Sequence, residues 1–535
     1  MNEFIGTGAL LRLALRRERF ALLGWVGLLA VMVVGTAARY MRMLPTPAAR
    51  EDLAQAIRGN AALLAFTGQV PDTSIGGLTV VKAGDMLYSL IGLMAILMVV
   101  RHTRGEEEAG RRELIGSGVV GRCAPLVAAL IVPCAAALVI GLLGALGLVA
   151  LGQEPVGAFA FASAIAAAGW VFAAVAALTA QWSERARTAV ALAAGALATG
   201  YVLRFVADGS GQLWLRWLSP QGWSHLVQPF GDERWWMLAV PVAVAALLAG
   251  LALRTAARRD LGAGLFPSRP GPAHGAGLTG PLALAWRLQR GALLAWTAGL
   301  GLAGLLLGGI IGVVPEVLAR NGPTAGEFFR RYAGDPSASI TDVFLWLIAL
   351  TIGYVVALYP MLAILQLRRE EAQGRAEVVL ATGVTRARWL AGHLLFAAVG
   401  PALVLTAGGL GLGLTYGLGV GDVAGALPRV LAGAWIQLPA VWVLGGVAML
   451  AFGAAPRQAV AIVWVVFLFI NVFGEVVGPA FGLDYWVADQ AVPFHHLPQI
   501  LSGGAFTAAP LLALVAVAAT LTAAGALQFV RRDLT

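Results

Sequence analysis

The chain has 535 residues, of which 59% are hydrophobic and only 12% charged, with a mean hydropathy of +0.81 and a formal net charge of +9. Soluble domains carry about 25% charged residues, so an ordinary soluble protein is excluded and a polytopic membrane chain is expected. The single lysine, Lys82, excludes a Gly-x-x-x-x-Gly-Lys-Ser/Thr phosphate loop, and with it ATP hydrolysis by this chain alone.

From the N-terminus, Arg12, Arg16 and Arg19 fall at i, i+4 and i+7, opposite Leu10, Leu13 and Ala14. This predicts an amphipathic helix in the membrane interface; the plainer alternative is a basic flank that only orients the chain, and Arg17 lies off the stripe. No cleavable signal pattern is expected, because the charged segment leads into a span too long for a signal core. Apolar runs of about 20 residues, enough to cross a bilayer core of roughly 30 Å, then recur along the whole length. Twelve are predicted: 20–38, 78–100, 123–151, 156–180, 189–206 and 235–253, then 291–314, 342–365, 389–418, 427–452, 459–480 and 510–529. Placing the N-terminus inside puts 25 of the 37 Lys and Arg on the inner side, so both termini are expected in the cytoplasm.

Between the spans, residues 39–79 contain a helical stretch over 48–65, and 315–341 occupy the same place in the second half. Trp214, Trp217, Trp223, Trp235 and Trp236 crowd the segment between spans five and six, predicting a short re-entrant or surface-lying helix rather than a solvated loop. The Gly- and Pro-rich stretch 262–281 predicts a flexible cytoplasmic linker spanning roughly 25 Å. Cys123 and Cys134 lie on one predicted helix about 16 Å apart, too far for a disulfide. The six histidines lack Cys or carboxylate partners at ligand spacing, so no metal site is expected. Gly299, Gly301 and Gly304 form a Gly-x-Gly-x-x-Gly string, but inside a span and after no strand; Gly304, Gly308 and Gly312 instead suit close helix packing.

The two halves repeat one another. Leu13, Ala14, Arg16, Arg19, Ala21, Leu22, Leu23 and Trp25 recur as Leu284, Ala285, Arg287, Arg290, Ala292, Leu293, Leu294 and Trp296. Arg258-Arg259-Asp260-Leu261 recurs as Arg531-Arg532-Asp533-Leu534. The predicted fold is therefore all-α and polytopic: a six-helix repeat over 1–261, the linker 262–281 and a second six-helix repeat over 282–535, related by an axis along the membrane normal.

Glu106, Glu107, Gly110, Arg111 and Glu113 recur as Glu370, Glu371, Gly374, Arg375 and Glu377, between spans two and three and spans eight and nine. A short charged helix at the membrane face is predicted there, able to dock in a soluble partner. The alternative, a solvated loop that fixes topology, accounts for the Arg but not for the repeated Glu, since acidic residues contribute little to orientation. Within the spans, Lys82 and Asp85 share a face and either line a cavity as a pair or snorkel to water. Arg204 falls opposite Gly474, beside Glu475, which predicts an Arg204–Glu475 gate pair.

The opening Thr7-Gly8 to Arg17, the Arg101–Leu114 loop and Leu218-Ser219-Pro220-x-Gly222-Trp223 resemble the fused twelve-span membrane subunits of ABC-2-type exporters, in particular the tetronasin-type polyketide-antibiotic group of actinobacteria. The resemblance covers essentially the whole chain. It implies that the two charged loops are coupling helices and that the N-terminal stripe, with its counterpart at Arg287 and Arg290, is a connecting helix. It also implies two copies of a separate cytoplasmic ATPase, which binds the ATP and Mg, in the bacterial cytoplasmic membrane. Ala376 stands where the first loop has Arg112, so the two docking sites are expected to be unequal. No catalytic residue, bound cofactor or nucleic-acid partner is expected, and amphiphilic or lipophilic small molecules suit a lining of Ala, Leu, Val and Phe. The alternative is a proton-coupled secondary drug exporter of the major-facilitator type, against which stands the lack of an evident mid-membrane relay carboxylate. An intramembrane enzyme is disfavoured, because no nucleophile and base share an apolar span.

Overall fold

The computed structural model describes residues 3–59, 61–116, 118–266, 277–311, 335, 337–470 and 492–533. All regular structure among them is helical, and eleven helical stretches, some of them made of consecutive helices, are long and apolar enough to cross a bilayer. The chain is an all-α polytopic membrane protein. It divides into two compact units, Met1–Gly271 and Pro272–Thr535.

In the first unit α1 (Thr7–Met43) runs unbroken through the basic stripe and the first span. The separate interfacial helix expected around Arg12, Arg16 and Arg19 is therefore not formed: the stripe is the first turns of the spanning helix itself, with the three arginines exposed. Thr46 caps α2 (Pro47–Arg58) by accepting from the Ala49 N–H, and α3 (Ala61–Thr67) follows, so the expected helical stretch is a pair. Ser74 caps α4 (Ile75–His102), which is followed by the short α5 (Arg104–Glu108) and α6 (Arg111–Gly116). Glu154 caps α8 (Pro155–Trp182), whose Ala and Gly residues let it sit closely against α4 and α7 (Ala124–Ala150). A Cβ on Gly169 would lie 2.6 Å from the Ala137 methyl, so larger residues would push the helices apart. After α9 (Ala186–Ser210), the Trp-rich segment folds as a 3-10 turn at Leu213–Leu218, then α10 (Pro220–Leu226) capped by Ser219, then a second 3-10 turn at Trp235–Leu238. Ser219, Gln221 and Trp223 are buried while Trp214 and Trp236 are exposed, so the Trp-rich segment is ordered helix and turn rather than an open loop. The unit's last spanning helix is α11 (Ala239–Arg258).

The second unit opens with α12 (Pro281–Ile311), again one helix through Arg287 and Arg290. Later come α13 (Ile340–Val356), α14 (Leu358–Ala372), α15 (Arg375–Leu380), α16 (Arg386–Val420), α17 (Val423–Trp435), α18 (Leu438–Ala454), α19 (Ala459–Leu468) and α20 (Ala508–Arg531). Gly304 and Gly308 lie directly against the backbone of α16 at Gly408 and Leu412, so these glycines serve packing. The span expected over 342–365 is two helices joined at Ala357, three residues before Pro360, which offers no N–H to the ladder. The span expected over 427–452 is likewise two, α17 and α18, meeting at Ile436 and the buried Gln437. Gly312, most of 315–341, residues 471–480 of the expected eleventh span, and Glu475 lie outside the described residues.

Candidate functional site

Charged side chains gather in two places, the turn after the second span of each unit and the opposite end of the first unit. At the turn, α5 stops at Glu108 and Gly110 takes φ +68°, a left-handed conformation that a Cβ would strain; Gly374 takes φ +69° after α14. The reversal brings Arg111 back onto Glu106 as a fork, with Nε and Nη2 donating to the two carboxylate oxygens at 2.7 and 2.9 Å. Arg375 clasps Glu370 with the same two distances. Donating to a carboxylate raises the pKa of Arg111 and Arg375 above the ordinary guanidinium value, so both stay charged at any working pH.

The second glutamate of each motif reaches elsewhere. The Glu107 side chain, 4% exposed, lies among Arg104 (2.6 Å), Arg112 and Arg259 (2.8 Å). Glu371 takes a bidentate pair from Arg532 at 2.6 and 2.7 Å. Arg104 and Arg368 each donate through Nε to a carbonyl beyond the middle of their unit, Ala180 at 2.5 Å and Pro456 at 2.6 Å. Arg17, which seemed to spoil the N-terminal stripe, donates to Glu106 at 3.0 Å and ties α1 to the turn. Its neighbour Glu18 is buried, accepts from Arg101 at 3.2 Å and lies 3.0 Å from the His102 ring nitrogen Nε2. Arg104 also donates to the Ala263 carbonyl, and the Leu265 and Phe266 amides donate to Gln181 and Trp182. Of the expected linker 262–281, Ala263, Leu265 and Phe266 are therefore hydrogen-bonded to the first unit, and 267–276 lie outside the described residues.

Glu106, Glu370 and Glu371 are buried, the Glu107 side chain is only 4% exposed, and all four pair with arginines of the chain, whereas Glu113 and Glu377 are exposed. So are Leu114, at 77%, and Val378, at 70%, one on α6 and one on α15.

At the far end of the first unit, Arg204 is fully buried and donates to Asp85 at 2.6 Å, to Asp208 at 3.3 Å and to the Ala65 carbonyl at 2.8 Å. Asp208 also receives Arg216, and Asp85 faces the His225 ring nitrogen at 3.2 Å. These contacts pin α3 and α10 onto α4 and α9. Lys82 is exposed and does not pair with Asp85, whose carboxylate is taken by Arg204 and faces His225. Arg204 finds carboxylates on α4 and on its own helix, and Glu475, its predicted partner, lies outside the described residues. Asp208, Arg216 and His225 were not singled out in the sequence; only the Arg204–Asp208 spacing of i, i+4 was there to be seen. A cavity of about 270 Å³ lies beside the cluster, lined by Arg58, Gln69, Arg216, His225 and Gln228 among apolar residues. Among the described residues, no group of three or more His, Cys, Asp or Glu is arranged to hold a metal ion.

Bilayer-length helices with their ionised groups drawn into paired clusters define a multi-pass membrane permease, a transporter component rather than an enzyme. A family model described as "Multidrug efflux system permease Rv1217c, C-terminal domain" matches residues 278–530. Over 536 aligned residues the chain is 43% identical to the multidrug efflux system permease protein Rv1217c of Mycobacterium tuberculosis (strain H37Rv), covering 99% of the chain and 96% of that relative. The chain belongs to this family of multidrug efflux system permeases.

Proposed function

We propose that this chain is the membrane-spanning subunit of an ATP-driven exporter that moves amphiphilic or lipophilic, drug-like compounds outward across a bacterial cytoplasmic membrane. Both termini and both Glu–Gly–Arg turns face the cytoplasm, and two copies of a separate ATPase, carrying the ATP and Mg, engage those turns. The observation that carries this is the pair of identical clasps, Glu106–Arg111 and Glu370–Arg375, each followed by a short helix with an exposed apolar residue at its middle. Exposed Leu114 and Val378 stand outside the apolar spans, where a solvated loop gains nothing from them. The resemblance to ABC-2-type, tetronasin-type permeases and the similarity to a multidrug efflux system permease point the same way.

The buried glutamates shape the turn, and the side chains beyond it make the contact. Leu114→Asp combined with Val378→Asp is expected to abolish stimulation of the ATPase by the permease while membrane insertion and level stay normal. Co-purification of the ATPase and its hydrolysis rate check this; full stimulation in the double variant would sink the assignment of the contact face. A proton-coupled mechanism is separated by energy source. Vesicles containing the chain alone and given a proton gradient are expected to move no cargo, whereas gradient-driven efflux lost in Asp85→Asn would establish that alternative.

A further inference from the structure

We propose that Arg259 and Arg532 are positioning residues that make each Glu–Gly–Arg turn one rigid body with the unit's last spanning helix. Force applied at the turn then reaches α11 and α20 directly, and not only the helices on either side of the turn. The inference rests on the turns being where the ATPase engages.

Both arginines stand one residue past a helix end, after Arg258 on α11 and Arg531 on α20. Their backbone N–H groups still donate to Thr255 at 2.9 Å and Gln528 at 3.0 Å, so each guanidinium is mounted on a continued helical ladder. A cation there also meets the partial negative charge of the helix C-terminus. From that mount, Arg532 forks onto Glu371, with its guanidinium 5.2 Å from the ring centroids of both Phe452 and Phe529. Arg259 places one nitrogen on both oxygens of Glu107, at 2.8 and 3.1 Å, and its Nε on Gln181 at 3.1 Å.

A second strap closes the far side of each turn. Arg122, just before α7, donates to the Ala257 carbonyl at 3.0 Å; Arg386, at the start of α16, donates to the Val530 carbonyl at 3.2 Å and the Arg532 carbonyl at 2.5 Å. Each turn is therefore tied to its last helix both before and after the reversal. The same two ties appear in two units whose sequences have diverged enough to exchange Arg112 for Ala376. Glu107 would remain neutralised by Arg104 and Arg112 without Arg259, so what Arg259 adds is the link to α11 rather than the burial of a charge.

The test uses the full chain with its ATPase. In Arg259→Gln with Arg532→Gln, the ATPase is expected to co-purify as in wild type and to hydrolyse ATP, while cargo moved per ATP falls about tenfold or more, the scale of a lost charged hydrogen bond. Arg259→Lys with Arg532→Lys keeps the charge but loses the fork, so efflux per ATP should fall to an intermediate value at unchanged protein level, which holds the test open where the Gln pair does not reach the membrane. Glu371→Arg with Arg532→Glu rebuilds the second pair and should recover most of the loss caused by Arg532→Glu alone. Wild-type efflux per ATP in the Lys pair and the Gln pair, with the ATPase bound, would overturn the inference alone. Failure of any ATPase to co-purify with the unaltered chain would overturn the docking assignment, and this inference with it.

Discussion

Arg204→Met is expected to destabilise the first unit by about 3–5 kcal/mol, because it strips one partner from a buried ion network. Arg204 has no exposed side-chain surface and contacts Asp85, Asp208 and the Ala65 carbonyl at once. Its removal leaves Asp85 facing only His225 and releases α3, whereas Asp208 keeps Arg216. Adding Asp85→Leu removes the stranded charge, so the double variant should regain much of the loss, as apolar replacement of buried pairs commonly does. Thermal unfolding in detergent and the folded fraction after extraction report both steps. A double variant no more stable than Arg204→Met would show that the cluster is not an electrostatically coupled unit.

Glu107→Gln is expected to be nearly as damaging, and clearly worse than Glu371→Gln. The amide would face three guanidiniums, those of Arg104, Arg112 and Arg259, whose side chains are 1%, 10% and 8% exposed. The cost of leaving buried charge uncompensated is again about 3–5 kcal/mol. In the second unit Ala376 replaces Arg112 and Arg368 turns to the Pro456 carbonyl, so less positive charge converges on Glu371. Membrane levels and melting temperature of the two single variants, measured side by side, decide the point. Equal losses would mean that the extra arginines of the first turn are compensated by solvent.

The two turns show how far a linear pattern can be pushed. The spacing Glu-Glu-x-x-Gly-Arg contains the whole local geometry: a glycine able to adopt positive φ, then an arginine five residues after the first glutamate, which closes the fork in both units. The direction in which the charges point is not local. A carboxylate followed by exposed-looking polar residues suggests a docking surface, yet the Glu106 and Glu107 carboxylates are covered because Arg17 and Arg259 arrive from two distant stretches of chain to join Arg104, Arg111 and Arg112 of the turn itself. The repeated Arg-Arg-Asp-Leu was visible as a repeat, and only its place beside Glu107 and Glu371 gave it a role.

Composition and run length by themselves determined that this is a polytopic all-α membrane protein, because only helices and closed barrels satisfy the backbone in hydrocarbon, and apolar runs of about 20 residues are the length of a spanning helix, not of a barrel strand. Glycine spacing likewise foretold close packing of α12, since missing side chains are what permit backbones to touch, while the structure supplied the partner, α16. The tertiary structure decided which charge meets which. Arg204 pairs with Asp85, 119 positions away, and Lys82, only three positions from Asp85, does not. In a low-dielectric interior an ionised group must be neutralised by whatever lies within a few ångströms, and that neighbour is set by how helices pack, not by how far apart residues stand along the chain.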